Sequence, residues 1–121
     1  MILIDASVWI DHIRSSEQGV VLAIGSGAIL QHPFVTAEVA LGSFRNRTRF
    51  VAMMASLAQV TPISVTQLLE FIESANISGT GLGMVDAHIL ASAASNEDTQ
   101  LWTRDKRLLA QAERLDLAYK P

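Results

Sequence analysis

The sequence predicts an α/β fold, a parallel sheet covered by helices on both faces. Short β-branched runs alternate with longer helical patterns along the chain, and that alternation is the mark of parallel strands joined by helical crossovers. Half of the 121 residues are apolar, so a chain of one-domain length has the material for a core. The alternation also says where function should sit. In such sheets the C-terminal strand ends and the loops after them share one rim, where ligands bind. No internal repeat, low-complexity tract or linker interrupts residues 1–121, which read as a single domain.

In order, residues 2–4 form a short buried strand, β-branched and polar only at its end. Asp5-Ala-Ser then starts a helix in which Val8, Trp9, Ile10 and Ile13 are apolar and Asp11, His12 and Arg14 polar. A second helix is expected over residues 18–24, closed by Gly25 and Gly27. Residues 29–31 make a second strand, and His32-Pro33 turns the chain out of it. Apolar and small residues dominate 35–44, and after a cluster of arginines a helical run passes through Val51, Met54, Leu57 and Ala58. Residues 60–63 are expected as the third strand, with Ser64 capping a helix that ends near Glu73. Residues 78–83 read as loop, 84–94 as helix, 100–103 as strand, 105–114 as helix and 117–119 as a weak final strand.

Composition removes several chemistries. With no cysteine, disulfide frameworks, thiolate zinc sites and thiol nucleophiles are excluded together, so any metal is held by oxygen or imidazole. The longest apolar stretch, over residues 20–30, is broken by Gly25, Ser26 and Gly27 and is too short to span a bilayer. The N-terminus has no basic region and carries Asp5 and Asp11, unlike a signal peptide, so a soluble cytoplasmic protein is expected. Net charge is −3, which alone argues against a broad nucleic-acid surface. Six of the nine basic residues nevertheless fall in two short stretches, Arg45, Arg47 and Arg49, and Arg104, Lys106 and Arg107.

Four acids stand out by position. Asp5 directly follows the first strand and Asp105 lies just past the strand ending at Thr103, so connectivity places both on the carboxyl rim. Glu38 lies in the first turns of an otherwise apolar segment, VTAEVALG, and Asp86 is the one acid in GLGMVDAHILASA, a helix apolar enough to be buried on most sides. Each has a plain structural explanation: Asp5 with Ser7 and Asp105 can cap helices, while Glu38 and Asp86 can favour helix N-termini. As a group they need more, because two carboxylates about 4 Å apart repel by about 4 kcal/mol at an effective dielectric of about 20. A cation neutralises such a cluster, and oxygen ligands select Mg²⁺ or Mn²⁺. A site of that kind suits phosphodiester hydrolysis by a metal-activated water.

The ordered set Met1-Ile-Leu-Ile-Asp5-Ala-Ser7-Val-Trp9-Ile-Asp11, Glu38-Val-Ala-Leu-Gly42, Gly81-Leu-Gly83-Met-Val-Asp86-Ala-His88 and Leu101-Trp-Thr103-Arg-Asp105-Lys-Arg-Leu108 resembles the PIN-domain ribonucleases. More closely, it resembles the VapC toxins of bacterial toxin–antitoxin pairs. The resemblance implies a three-layer α/β/α fold with a central parallel sheet. It implies a cleft in which Asp5, Glu38, Asp86 and Asp105 gather around Mg²⁺ or Mn²⁺, and cleavage of single-stranded RNA that leaves a 5′-phosphate and a 3′-hydroxyl. It further implies a homodimer, held inactive by a cognate VapB-type antitoxin whose C-terminal segment occupies the cleft.

On that resemblance Asp5 and Asp86 take the central metal-ligand roles, Asp105 completes the shell, and Glu38 holds a second metal or orients the attacking water. Ser7 and Thr103 hydrogen-bond metal waters, or serve as helix cap and turn residues. Arg45 is expected on the same helix face as Glu38 if that helix persists, and is favoured for phosphate contact, as are Arg104 and Lys106 flanking Asp105. Gly42 gives a backbone room to approach or packs helices. His88 points away from Asp86 around the helix, and Trp9, Trp102 and Phe34 suit packing better than base stacking. The glycines at 79, 81 and 83 do not have the G-x-G-x-x-G spacing of a phosphate loop.

Three other classes compete. A receiver-type phosphoacceptor domain is the least favoured, since it needs a paired acid early and an acceptor Asp after the third strand, where Ser64 and Val65 stand. A haloacid-dehalogenase-like phosphatase also begins with a strand ending in Asp, but requires a second Asp where Ser7 stands and a Lys before its last acidic motif, whereas the first Lys here is Lys106. A PIN-like module that only binds partners has no support from the complete set of four acids.

Overall fold

The computed structural model describes all 121 residues, Met1–Pro121. Its elements run β1 (Ile2–Ile4), α1 (Ala6–Arg14), α2 (Gln18–Gly25), β2 (Leu30–Gln31), α3 (Pro33–Ala40), α4 (Arg47–Ser56), β3 (Ala58–Gln59), α5 (Val65–Ser74), α6 (Met84–Ser95), β4 (Gln100–Trp102) and α7 (Lys106–Arg114). All strand pairings are parallel. β1 pairs with β4 in the register Ile2–Gln100, Leu3–Leu101 and Ile4–Trp102, and β2 pairs with β3 through Leu30–Ala58 and Gln31–Gln59. A bridge from Ile2 to Ile29 joins the two ladders, and Leu101 pairs onward with Ala118, so the order across the sheet is β3, β2, β1, β4 and the Ala118 segment. The fold is the α/β arrangement expected, with a parallel sheet.

Two helical groups accompany the sheet, α1 with α3 and α4, and α6 with α5 and α7. The core runs through Leu3, Ile4, Val8, Trp9, Ile89, Leu90, Leu101 and Leu108, all fully buried. Each such side chain contributes about 1.5–3 kcal/mol by leaving water. The apolar reading of α6 is confirmed most directly: residues 87–93 are buried without a break, so the middle of this helix is enclosed on all sides.

The third strand lies earlier than residues 60–63. Helix α4 ends at Ser56, Leu57 is already extended, and the side-chain amide of Gln59 donates to the carbonyls of Met54, Ala55 and Leu57. Those bonds satisfy the orphaned end of α4 and let the chain enter β3 at Ala58. The Val60 N–H donates to the Gln31 carbonyl at 2.8 Å, after which Pro62, with no N–H to give, keeps the following residues out of a ladder. Helix α3 also stops short, at Ala40, so Gly42 and Arg45 lie in the connection to α4. The condition that would place Arg45 on the Glu38 face is therefore not met.

A candidate metal-dependent active site

Asp5 leaves β1 with its main-chain N–H donating to the Trp102 carbonyl at 2.9 Å, which pins it beside β4. It is 4% exposed, and only one of its oxygens is engaged. Oδ2 accepts from Ser7 Oγ at 2.7 Å and from Thr103 Oγ1 at 2.9 Å, with the Ser7 N–H at 3.4 Å completing the cap of α1. Oδ1 receives no hydrogen bond. The hydroxyls are themselves held: Ser7 Oγ accepts from the Arg104 N–H at 3.0 Å and Thr103 Oγ1 from the Asp105 N–H at 3.1 Å. Each hydroxyl spends its proton on Asp5 and its lone pair on the loop after β4, so orientation and charge are fixed together.

Asp105 caps α7, its Oδ1 accepting from the Leu108 N–H at 2.9 Å while Oδ2 stays free. Asp86 sits half-buried in the first turn of α6 with no side-chain hydrogen bond. Its carboxyl is pushed up to about 6, by burial first and then by the charges of Asp5 and Asp105. Glu38, on the exposed side of α3, is also raised, by desolvation and then by Asp5 and Asp86. Asp86 thus lies in the fields of Asp5 and Asp105, and Glu38 in those of Asp5 and Asp86.

As they stand, no three His, Asp or Glu side chains converge tightly enough to enclose an ion. Mg²⁺ does not require that, since it takes one or two carboxylates and fills its shell with water. The free Oδ1 of Asp5, the carboxyl of Asp86 without a hydrogen bond and the free Oδ2 of Asp105 are oxygen donors of the kind Mg²⁺ or Mn²⁺ would take.

The basic residues divide. Arg45 is exposed and, with Arg49, His12, Ile13, Phe44, Phe50 and Met53, lines a trough on the α1–α4 side. A neighbouring depression lined by Ile13, Arg14, Gly42 and Phe44 reaches Glu38. Lys106 opens α7 and is exposed. Arg104 is committed elsewhere: Nη1 donates to Asp11 Oδ2 at 2.8 Å and Glu17 Oε2 at 2.7 Å, and Nη2 donates to Glu17 Oε1. A phosphate contact from Arg104 as it stands would have to displace two carboxylates. Sequence reasoning passed over Asp11 and Glu17 in this role, and no local spacing signals it, because they lie 93 and 87 residues from Arg104. His32 is fully buried and caps α3, its Nδ1 accepting from the Phe34 N–H at 3.0 Å. Burial, and then the neighbouring His88, lower its pKa to about 4.

Residues 2–115 match the family model described as the PIN domain. Over 110 residues the chain is 40% identical to Ribonuclease VapC32 of Mycobacterium tuberculosis, in strains CDC 1551 / Oshkosh and ATCC 25618 / H37Rv alike, covering 91% of this chain and 89% of that protein. Among solved structures it is similar to PAE2754 from Pyrobaculum aerophilum, with a TM-score of 0.66 and 19% identity over 94% of this chain and 90% of that one, a likeness of fold. Matched to the PIN domain over residues 2–115 and to a VapC ribonuclease along nearly all its length, the chain belongs to the PIN-domain family and within it to the VapC-type ribonuclease toxins.

Proposed function

We propose that this chain is an Mg²⁺- or Mn²⁺-dependent endoribonuclease, the toxin of a type II toxin–antitoxin pair, acting as a single PIN domain. The observation that carries the reading is Asp86, a half-buried carboxyl raised to about 6 by burial beside Asp5 and Asp105. Such a group is costly to the free protein and is relieved by a cation. Asp5 Oδ1, Asp86 and Asp105 Oδ2 would hold the metal, which when bound lowers the pKa of a water and neutralises charge on the phosphate. Glu38, itself raised, is suited to take a proton from the attacking water or to orient it. Ser7 and Thr103 hold Asp5 through Oδ2 and leave Oδ1 without a hydrogen bond, available to a metal. Arg45 and Lys106, exposed and without carboxylate partners, are among the basic side chains free to meet the RNA backbone, and this reading assigns the contact to them. By the same reading the chain is a cytoplasmic homodimer that binds a VapB-type antitoxin.

The test is cleavage of total cellular RNA by the purified protein, wild type against Asp5→Asn, with Mg²⁺, with Mn²⁺ and with chelator. Discrete fragments bearing 5′-phosphates, produced only by the wild type with metal, are the expected result. Equal cleavage by Asp5→Asn, or cleavage in chelator, would sink it.

A further inference from the structure

Two consecutive residues after β4 are wired to the same carboxylate, and a second acid follows them. The Thr103 hydroxyl donates to Asp5, the Arg104 N–H donates to the Ser7 hydroxyl that also serves Asp5, and Asp105 offers the next acid. The Arg104 side chain then reaches the opposite way, to Asp11 on α1 and to Glu17 just before α2. Asp11 lies four residues beyond Ser7, on the same face of α1, so one arginine grips that helix twice, through its main chain and through its guanidinium.

We propose that Arg104, Asp11 and Glu17 form a positioning brace that holds Asp105 and the Ser7–Asp5 bond in register against the mutual repulsion of the metal-binding acids. The proposal rests on the nuclease reading above. An isolated exposed ion pair contributes little. This one is forked onto both oxygens of Glu17, shares Nη1 with a second carboxylate, and lies 5.9 Å from the centre of the Trp102 ring, so its geometry is set from three sides. Glu17 is anchored in turn, its N–H donating to His12 Nδ1 at 3.0 Å. Two carboxylates on one guanidinium leave the brace with a net negative charge, which makes it a poor phosphate clamp and a good strut.

The two roles for Arg104 predict opposite signs. Mn²⁺ binding to the metal-free chain is measured by calorimetry for the wild type, Arg104→Ala, Arg104→Lys and the double variant Asp11→Asn/Glu17→Gln. KM and kcat on a defined RNA are then measured at saturating Mn²⁺. The brace predicts Mn²⁺ binding weakened roughly tenfold or more in Arg104→Ala and in the double variant, the range for loss of support behind a metal ligand. Arg104→Lys is intermediate, because an ammonium cannot fork. Saturating Mn²⁺ restores kcat with KM unchanged. If Arg104→Ala instead raises KM with Mn²⁺ affinity intact, and the double variant lowers KM by freeing the guanidinium, Arg104 is a phosphate contact and the brace is wrong. Lower melting temperatures with unshifted Mn²⁺ affinity also overturn it. Should Arg104→Ala fail to fold, the double variant and Arg104→Lys carry the same comparison. A wild type that binds no Mn²⁺ refutes the metal site and the brace with it, whereas wild-type binding with unshifted variants refutes the brace alone.

Discussion

Replacing Asp86 by Asn should make the metal-free protein more stable at alkaline pH. In the folded chain the Asp86 carboxyl is raised from 3.8 to about 6. The folded state therefore holds that proton more tightly than the unfolded state, and ionised Asp86 destabilises: not at all below about pH 4, progressively between there and about 6, and fully above. At about 1.4 kcal/mol per pKa unit the shift corresponds to about 3 kcal/mol. Asp86 is only half-buried, and solvent screening reduces the working figure to about 1–2 kcal/mol. Asp86→Asn in chelator at pH 8 should then melt about 4–8 °C above the wild type, with the gap closing as pH falls to 4. Metal reverses the order. A cation bound only by the folded state adds about 2.7 kcal/mol at 100 times its Kd, and Asp86→Asn forfeits much of that gain. Paired thermal melts at pH 8 and pH 4, with Mg²⁺ and with chelator, give all four terms. A variant less stable than the wild type in chelator at pH 8, or a gap that does not change with pH, would refute the reasoning.

Two further perturbations isolate neighbouring parts. His32 is depressed from 6.5 to about 4, so its neutral form supports the fold above pH 6.5 and that support is lost as pH falls toward 4. His32→Asn keeps an acceptor for the Phe34 N–H but cannot titrate, so chemical unfolding should show a smaller loss than the wild type across that window, and equal losses would contradict the assignment. Thr103→Val preserves volume but removes the bond to Asp5 and the acceptor for the Asp105 N–H. It should lower stability by about 1–3 kcal/mol in urea unfolding and weaken Mn²⁺ binding.

Where the sequence was legible, one residue carried two constraints at once. Asp86 stood out because an acid in an otherwise apolar helix needs compensation, and the middle of α6 is indeed enclosed. Asp5 and Asp105 could be placed because strand ends in a parallel sheet share a rim. The sequence misled where a side chain far down the pattern decided the outcome. Leu57 and Ala58 are as compatible with helix as with strand, and the choice falls to the Gln59 amide on three carbonyls of α4. Arg104 read as a free cation beside an acid because its partners come from α1 and the start of α2, brought to it only by β1 pairing with β4. His32 read as part of a turn, with nothing local to show that the turn is buried.

Helix capping and the proposed metal binding, which compete as explanations of Asp5 and Asp105 in the sequence, would draw on different oxygens of the same carboxylates. Asp5 caps α1 with Oδ2, and Asp105 caps α7 with Oδ1. In each case the cap engages one oxygen and leaves the other without a hydrogen bond, so under the proposed function the helix start would orient the ligand. Substitution can separate the two roles at Asp105, where the cap is a single bond to the Leu108 N–H. Asn caps a helix about as well as Asp, whereas Ala forfeits about 1 kcal/mol. Asp105→Asn should therefore unfold in chelator within a few tenths of a kcal/mol of the wild type, and Asp105→Ala about 1 kcal/mol below it. Both should lose Mn²⁺ affinity to a similar degree, because both lack the charge. If Asp105→Asn binds Mn²⁺ as the wild type does, Asp105 is a cap alone, and the metal belongs to Asp5, Asp86 and Glu38.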